Sequence, residues 1–319
     1  MKLYQYKKVV EYKYTITEKE RLYNKGVLSF PSVCTSGYSR NDTVYVDTFE
    51  PHGNNNPAVI LIHSWHERRG GITEWFAKKL AKEGFSAYLI HLPYHINRTP
   101  EGYNSGTLFL TNDVEHSILA FRQAVIDTRC LIDWITEKRK IPEENTGILG
   151  ISLGAIIMHT VIGVDRRVKV GVSLFGGGNI NYIFTRSCIT LPYVIYQIKN
   201  GLRIRDYRKV SKDYIQYLKE VKKTSDIEEV PCPWKWFLID PLTYAHLNQP
   251  RKVLMINGRF DLIIPHRASL QLWEALGRPE IIWLPSTHLT ARFFQNTILY
   301  HTLRHLKSHL LHTKQVSSE

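Results

Sequence analysis

Short, continuous apolar runs recur along most of this chain, each separated from the next by a longer helical pattern, and that rhythm leaves few folds open. Residues 58–62 (AVILI), 86–90, 146–151, 168–175, 252–257 and 280–284 are dominated by apolar side chains, as strands covered on both faces must be. Between them, residues 72–83, 112–138, 153–163 and 266–276 read as helices, and a last one is expected over 289–312. Buried strands alternating with helices imply an α/β architecture, a doubly wound and mostly parallel sheet. Ahead of the series, residues 9–16, 26–30 and 43–49 alternate apolar and polar between Asn, Gly and Ser clusters, which predicts antiparallel strands at one edge.

The rhythm breaks once. From 179 to about 245 no strand of the series occurs, and the segment is rich in Tyr, Lys and Arg, with Pro231, Cys232, Pro233 and Trp234 near its end. It reads as a helical lid inserted between two parts of the core, 1–178 and 246–319. A chain of 319 residues with 43% apolar content can bury one large core. No apolar run approaches the roughly 20 residues of a membrane span, and the opening MKLYQYKKVV lacks the apolar stretch and cleavage site of a secretory signal; a cytoplasmic location is expected. Cys34, Cys130, Cys188 and Cys232 are scattered without paired spacing, so free thiols are expected. The net charge of +13 is spread along the chain with no DNA- or RNA-binding motif, and nucleic acid is not an expected partner.

Residues 146–155, TGILGISLGA, place Ser152 in a Gly-x-Ser-x-Gly pentapeptide between a strand and an apolar helix. An abrupt strand-to-helix turn needs small neighbours such as Gly150 and Gly154, and it lifts the hydroxyl of Ser152 into a cleft. A serine hydroxyl becomes a competent nucleophile only beside a base, which a carboxylate then orients. On a doubly wound sheet such groups collect where strands end at their carboxyl edge. Strand 252–257 runs into Gly258, Arg259, Phe260 and Asp261, and strand 280–284 runs into Ser286, Thr287 and His288. Residues 176–192 hold no Asp or Glu, which favours Asp261 as the acid. The order Ser152, Asp261, His288 is that of a Ser-Asp-His triad on such a sheet. The backbone N–H of Leu153 and, from the loop after 58–62, that of Trp65 are the expected oxyanion donors.

With LIHSW at 61–65, LPYH at 92–95, GISLGA at 150–155, DPLTYA at 240–245, NGRFDLIIP at 257–265 and STHL at 286–289, nearly the whole chain from Ala58 onward resembles the α/β-hydrolase superfamily. It most resembles the serine branch of dienelactone-hydrolase-like and acetyl-xylan-esterase-like enzymes. The resemblance implies hydrolysis of a small-molecule ester through an acyl-Ser152 intermediate, carboxylesterase chemistry without a metal or other cofactor. A thioester or amide would suit the same machinery, and a non-catalytic relative would keep the pocket alone; an intact triad argues against the last. Two residues depart from the pattern. Ser64 stands where the superfamily usually has Gly, which bears on the oxyanion loop, and Ser152 stands where true dienelactone hydrolases carry Cys, so their substrate does not transfer.

Other signals are weaker. His63 and His66, and His91 and His95, have spacings that would suit a metal on a helix, but these stretches read as strand ends and loops. The C-terminal helix carries His301, His305, His309 and His312 beside Leu299, Leu303, Leu306 and Leu310; the leucines are expected to pack and the histidines to be solvated. Gly176, Gly177 and Gly178 are followed by no Lys-Ser or Lys-Thr and read as close backbone approach near the cleft rather than a phosphate loop. In the lid, residues 199–223 hold nine Lys or Arg against Asp206, Asp213 and Glu220. Tyr207, Val210, Tyr214, Tyr217, Leu218 and Val221 recur there at three- and four-residue steps, an apolar face on a basic helix. The favoured expectation is that this face packs over the cleft while the charges are solvated; the alternative is contact of the basic face with anionic esters or an anionic membrane surface.

Overall fold

The structure, a computed structural model, describes residues 3–53, 56–190, 195, 204–224, 226–248 and 252–311. His312 and the start of the basic stretch at 199–203 lie outside the described residues. Among the described residues nine strands form one sheet: β1 (Lys13–Lys19), β2 (Tyr23–Pro31), β3 (Thr43–Pro51), β4 (Ala58–Ile62), β5 (Ser86–Ile90), β6 (Thr146–Ile151), β7 (Val170–Leu174), β8 (Lys252–Gly258) and β9 (Glu280–Leu284). Their spatial order is β1-β2-β3-β5-β4-β6-β7-β8-β9. The first three strands pair antiparallel, β3 pairs antiparallel with β5, and the remaining strands from β5 to β9 run parallel. The mostly parallel sheet with an antiparallel N-terminal edge is the architecture the sequence predicts.

Every residue of β4, β5, β6 and β7 is buried, because helices cover both faces. On one face Val59 and Leu61 of β4 meet α1 (Ile72–Lys82), through Phe76 and Leu80, and α7 (Gln295–Leu310), through Ile298, Leu306 and Leu310. On the other face Ala58, Ile60 and Ile62 share a cluster with α2 (Val114–Asp133), α3 (Leu153–Val164) and α6 (His266–Ala275). Alternate residues of a strand thus feed two cores, each buried Leu, Ile or Phe contributing about 1.5–3 kcal/mol. Helix α2 runs on into a π-helical turn, Trp134–Lys138. One expectation is corrected on α7: His305 is not solvated but buried at 5% exposure, facing the carbonyl of Lys252 at 3.4 Å, and burial pushes its imidazole down to about 4.

Between β7 and β8 the chain forms α4 (Ile180–Arg186), α5 (Ile204–Val221) and a helical turn at Pro241–Tyr244. Val210, Tyr214, Tyr217 and Val221 of α5 are buried, with the Tyr214 and Tyr217 rings 4.3 and 5.5 Å from Phe237. Arg208, Lys209, Lys212, Lys219, Lys222 and Lys223 are exposed, so the helix has the apolar and basic faces that its spacing implies. Asp240 ties the end of the insertion to its beginning: its buried carboxylate accepts the Leu242 N–H (2.9 Å), the Asn179 N–H (3.0 Å) and the Ile180 N–H. No helix among the described residues is long and apolar enough to cross a membrane.

The loop after β5 is held by a buried guanidinium. Arg98 is fully buried, pairs with Asp127 at 2.8 Å and donates to the carbonyls of Asn41 (2.7 and 2.9 Å) and His91 (3.2 Å). It braces a segment in which Tyr94 and Ile96 both take positive φ, 63° and 50°, a conformation that a β-branched residue adopts only under constraint. Removing one partner of a buried pair leaves the other uncompensated. Arg98→Met is therefore expected to lower the unfolding free energy by about 3–5 kcal/mol, read from the urea midpoint; a midpoint equal to wild type would contradict this account.

Candidate active site

The chain leaves β4 outward to β5 and then crosses back to β6 on the other side, so the topological switch point lies between β4 and β6. Ser152 stands at the carboxyl end of β6 with φ 56° and ψ −113°, and α3 begins at the next residue. Its N–H donates to the carbonyl of Leu174 (2.8 Å), while its own carbonyl accepts from Ala155 and Ile156 (2.9 and 3.1 Å). The two glycines are explained by contact. A Cβ on Gly150 would stand 2.4 Å from the carbonyl oxygen of Gly154, and one on Gly154 would stand 2.1 Å from that of Ile62. The first turn of α3 is thus pressed against the backbone that leaves β4.

Asp261 and His288 come from the ends of β8 and β9. The Arg259 N–H donates to Leu284 O (2.9 Å) and the Phe260 N–H to Ser286 O (3.0 Å); a Cβ on Gly258 would lie 2.7 Å from Ser286 O. This close pairing sets the carboxylate beside the imidazole. His288 Nδ1 lies 2.7 Å from Asp261 Oδ2, and His288 Nε2 lies 3.0 Å from Ser152 Oγ. The second oxygen of Asp261 accepts the N–H groups of Ile263 and Ile264 at 2.8 and 2.9 Å, which fixes the carboxylate plane. With Nδ1 donating to the carboxylate, Nε2 is left to accept from the serine hydroxyl. The structure therefore brings Ser152, His288 and Asp261 into one hydrogen-bonded line, whereas the carboxylate of Asp240 accepts from Asn179, Ile180 and Leu242 instead.

Leu153 is the first residue of α3, so its N–H has no acceptor within the helix. Trp65 lies in the turn after β4, its indole N–H donating to Gly106 O (2.9 Å) and its ring stacked 4.2 Å from His66. That turn is organised by Glu67, a residue the sequence did not single out. Its carboxylate accepts the Ser64 N–H (3.1 Å), the Ser64 hydroxyl (2.9 Å), the Thr73 N–H (2.8 Å) and the Thr73 hydroxyl (2.8 Å). The serine that replaces the usual glycine thus gains a partner. Phe175, also unforeseen, leaves β7 with φ 55° and sets its ring edge-on to His288 at 5.5 Å.

The neighbouring histidines are otherwise engaged. His63 donates from Nδ1 to Ser64 O (2.8 Å) and accepts the Leu92 N–H at Nε2 (3.0 Å), and burial pushes its imidazole down to about 4. His95 is buried beside it, with its imidazole likewise held well below the ordinary range by desolvation. Among the described residues no group of three or more His, Cys, Asp or Glu is placed to hold a metal ion. Gly176, Gly177 and Gly178 do mark close approach, since a Cβ on them would meet Ser173 Oγ at 2.5 Å, Ile264 at 2.7 Å and Leu242 at 2.6 Å.

No family model matches the chain. Uncharacterized proteins from two strains of Mycobacterium tuberculosis are each 26% identical to it over 263 residues, covering 81% of this chain and 55% of their own. The chain thus spans about half the length of the curated relatives it matches. Among solved structures, it is similar to the acetyl xylan esterase of Paenibacillus sp. R4 (TM-score 0.63, 13% identity, 95% of this chain and 90% of that one). It is also similar to acetyl xylan esterase 1 of a Thermoanaerobacterium species (0.61, 15%, 92% and 87%) and to the acylaminoacyl peptidase of Pyrococcus horikoshii (0.63, 15%, 94% and 44%). At such identities the likeness is one of backbone. Together with the strand order and the turn at Ser152, it shows that this chain has the α/β-hydrolase fold.

Proposed function

We propose that the protein is a serine hydrolase of the carboxylesterase type. The observation that carries the reading is the line from Asp261 through His288 to Ser152, with contacts of 2.7 and 3.0 Å, set on a turn at positive φ. The esterases among the structural neighbours support the same reading. In it, Ser152 Oγ attacks the ester carbonyl while His288 Nε2 takes its proton, and Asp261 holds the imidazole in the required tautomer and balances the charge it gains. The N–H groups of Leu153 and Trp65 receive the oxyanion, on which the tetrahedral intermediate collapses. His288 then returns the proton to the departing alcohol, and a water activated by the same imidazole releases the acid from Ser152. The acylaminoacyl peptidase neighbour favours amides as a second reading, and a matched ester and anilide decide between them.

Ser152→Ala is expected to abolish turnover of p-nitrophenyl esters while leaving the unfolding free energy from urea titration within about 0.5 kcal/mol of wild type; wild-type-like turnover would remove the mechanism. Asp261→Asn is expected to lower kcat by roughly three to four orders of magnitude, because an amide favours the wrong imidazole tautomer. If Asp240→Asn had that effect and Asp261→Asn did not, the acid would be Asp240. For the oxyanion loop, Glu67→Ala is expected to lower kcat about tenfold or more with KM little changed, since a misplaced donor is felt in the transition state. An unchanged kcat would detach the Ser64–Glu67 contacts from catalysis.

A further inference from the structure

Of the sixteen large apolar side chains left exposed among the described residues, four lie on the two loops that carry Asp261 and His288. Phe260 and Leu262 flank Asp261 and are 59% and 64% exposed; Leu289 follows His288 directly at 74%, and Phe293 lies a turn further on at 73%. A lone exposed apolar residue needs no explanation, whereas a cluster of them marks a binding surface. These four depart from segments held against each other by the Phe260 N–H to Ser286 O bond and by the Asp261–His288 contact. The Cys188 N–H donates to Leu262 O at 2.9 Å and brings the exposed Ile189, from the start of the insertion, to the same loop.

Packing does not account for them. The same loops send Ile264 and Ala291 into the core, so the burial that anchors these segments is supplied by other residues. Neither 259–265 nor 285–294 carries an acid apart from Asp261, which is buried on His288; the charged neighbours are Arg259 and Arg292, the latter 4.9 Å over the Phe293 ring. Apolar surface edged by cations and adjoining the reacting groups suits an alkyl chain attached to a polar ester.

We propose that Phe260, Leu262, Leu289 and Phe293 form the rim that binds the extended alkyl chain of the substrate, so that the hydrolase prefers medium- and long-chain esters to acetyl esters. This rests on the serine-hydrolase reading above. Each methylene withdrawn from water strengthens binding roughly fourfold, so three or four methylenes against the rim favour a long chain by roughly a hundredfold.

The test compares kcat/KM for p-nitrophenyl acetate, butyrate and octanoate below the critical micelle concentration, with octanoate also assayed above it. Wild type is expected to favour octanoate over acetate by about a hundredfold, and the variant F260S/L262S/L289S/F293S to lose at least about tenfold of that ratio. Leu289→Ser alone is expected to lose part of it, a readout that does not depend on the fourfold variant folding. Leu119→Ser, at a site 58% exposed on α2, is expected to keep the wild-type ratio. A flat or acetate-favouring wild-type profile, or a ratio unchanged in the fourfold variant, overturns the proposal. Rates that rise only above the micelle concentration overturn it in favour of a lipid surface. If Ser152→Ala abolishes hydrolysis but the profile is flat, only the rim is wrong; if that variant still hydrolyses these esters, or wild type hydrolyses none, the parent reading falls with it.

Discussion

The contact between Gly154 and the carbonyl of Ile62 is the constraint on which the site depends. Because no side chain stands at 154, the first turn of α3 can rest on the backbone leaving β4, where a Cβ would sit 2.1 Å from that oxygen. Two consequences follow from one missing methyl group. The first turn of α3 lies against the backbone of Ile62 and His63, which leads on to Ser64 and Trp65, and β6 must turn into α3 within a single residue. Ser152 therefore takes φ 56°, a strain of about 1–3 kcal/mol that is offset by its N–H bond to Leu174 and by the burial of nearly every residue of α3.

The remaining groups reach Ser152 by the same logic of strand ends. Parallel strands finish together at one edge, so the loops after β4, β6, β7, β8 and β9 meet there although they are far apart in sequence. Phe175 from β7 backs the imidazole, Asp261 from β8 orients it, and β9 delivers it. His63, which uses both ring nitrogens and is pushed down to about 4 by burial, joins the β4 and β5 loops as a neutral strut. The difference between it and His288 is one of partners: a carbonyl and an amide on one side, a carboxylate and a hydroxyl on the other.

Much of this was legible in the sequence because burial on both faces leaves a plain signal. The apolar runs at 58–62, 86–90, 146–151 and 280–284 coincide with β4, β5, β6 and β9 to the residue. The first strand does not: it was expected over 9–16 and occupies Lys13–Lys19, since an almost wholly exposed edge strand has no core to set its limits. The leucine stripe of α7 is only part of its inner face, because Ile298, Thr302 and His305 turn inward as well, and this is why the sequence does not reveal the burial of His305. Ser152 and Asp261 stand out because each follows a buried strand, and His288 because it follows a short apolar run, although that edge strand is only partly buried. Glu67 and Arg98 do not, because their contacts reach Thr73, Asn41 and Asp127, which no local pattern joins to them, and nothing in DPLTYA tells that Asp240 accepts from Asn179.

Covalent trapping tests most directly whether the Ser152 hydroxyl at the end of β6 is the activated nucleophile proposed above. Treatment with a fluorophosphonate, followed by peptide mass mapping, is predicted to give a single adduct on Ser152 that forms far more slowly in His288→Ala. An unmodified chain, or an adduct on another residue with Ser152 untouched, would contradict it.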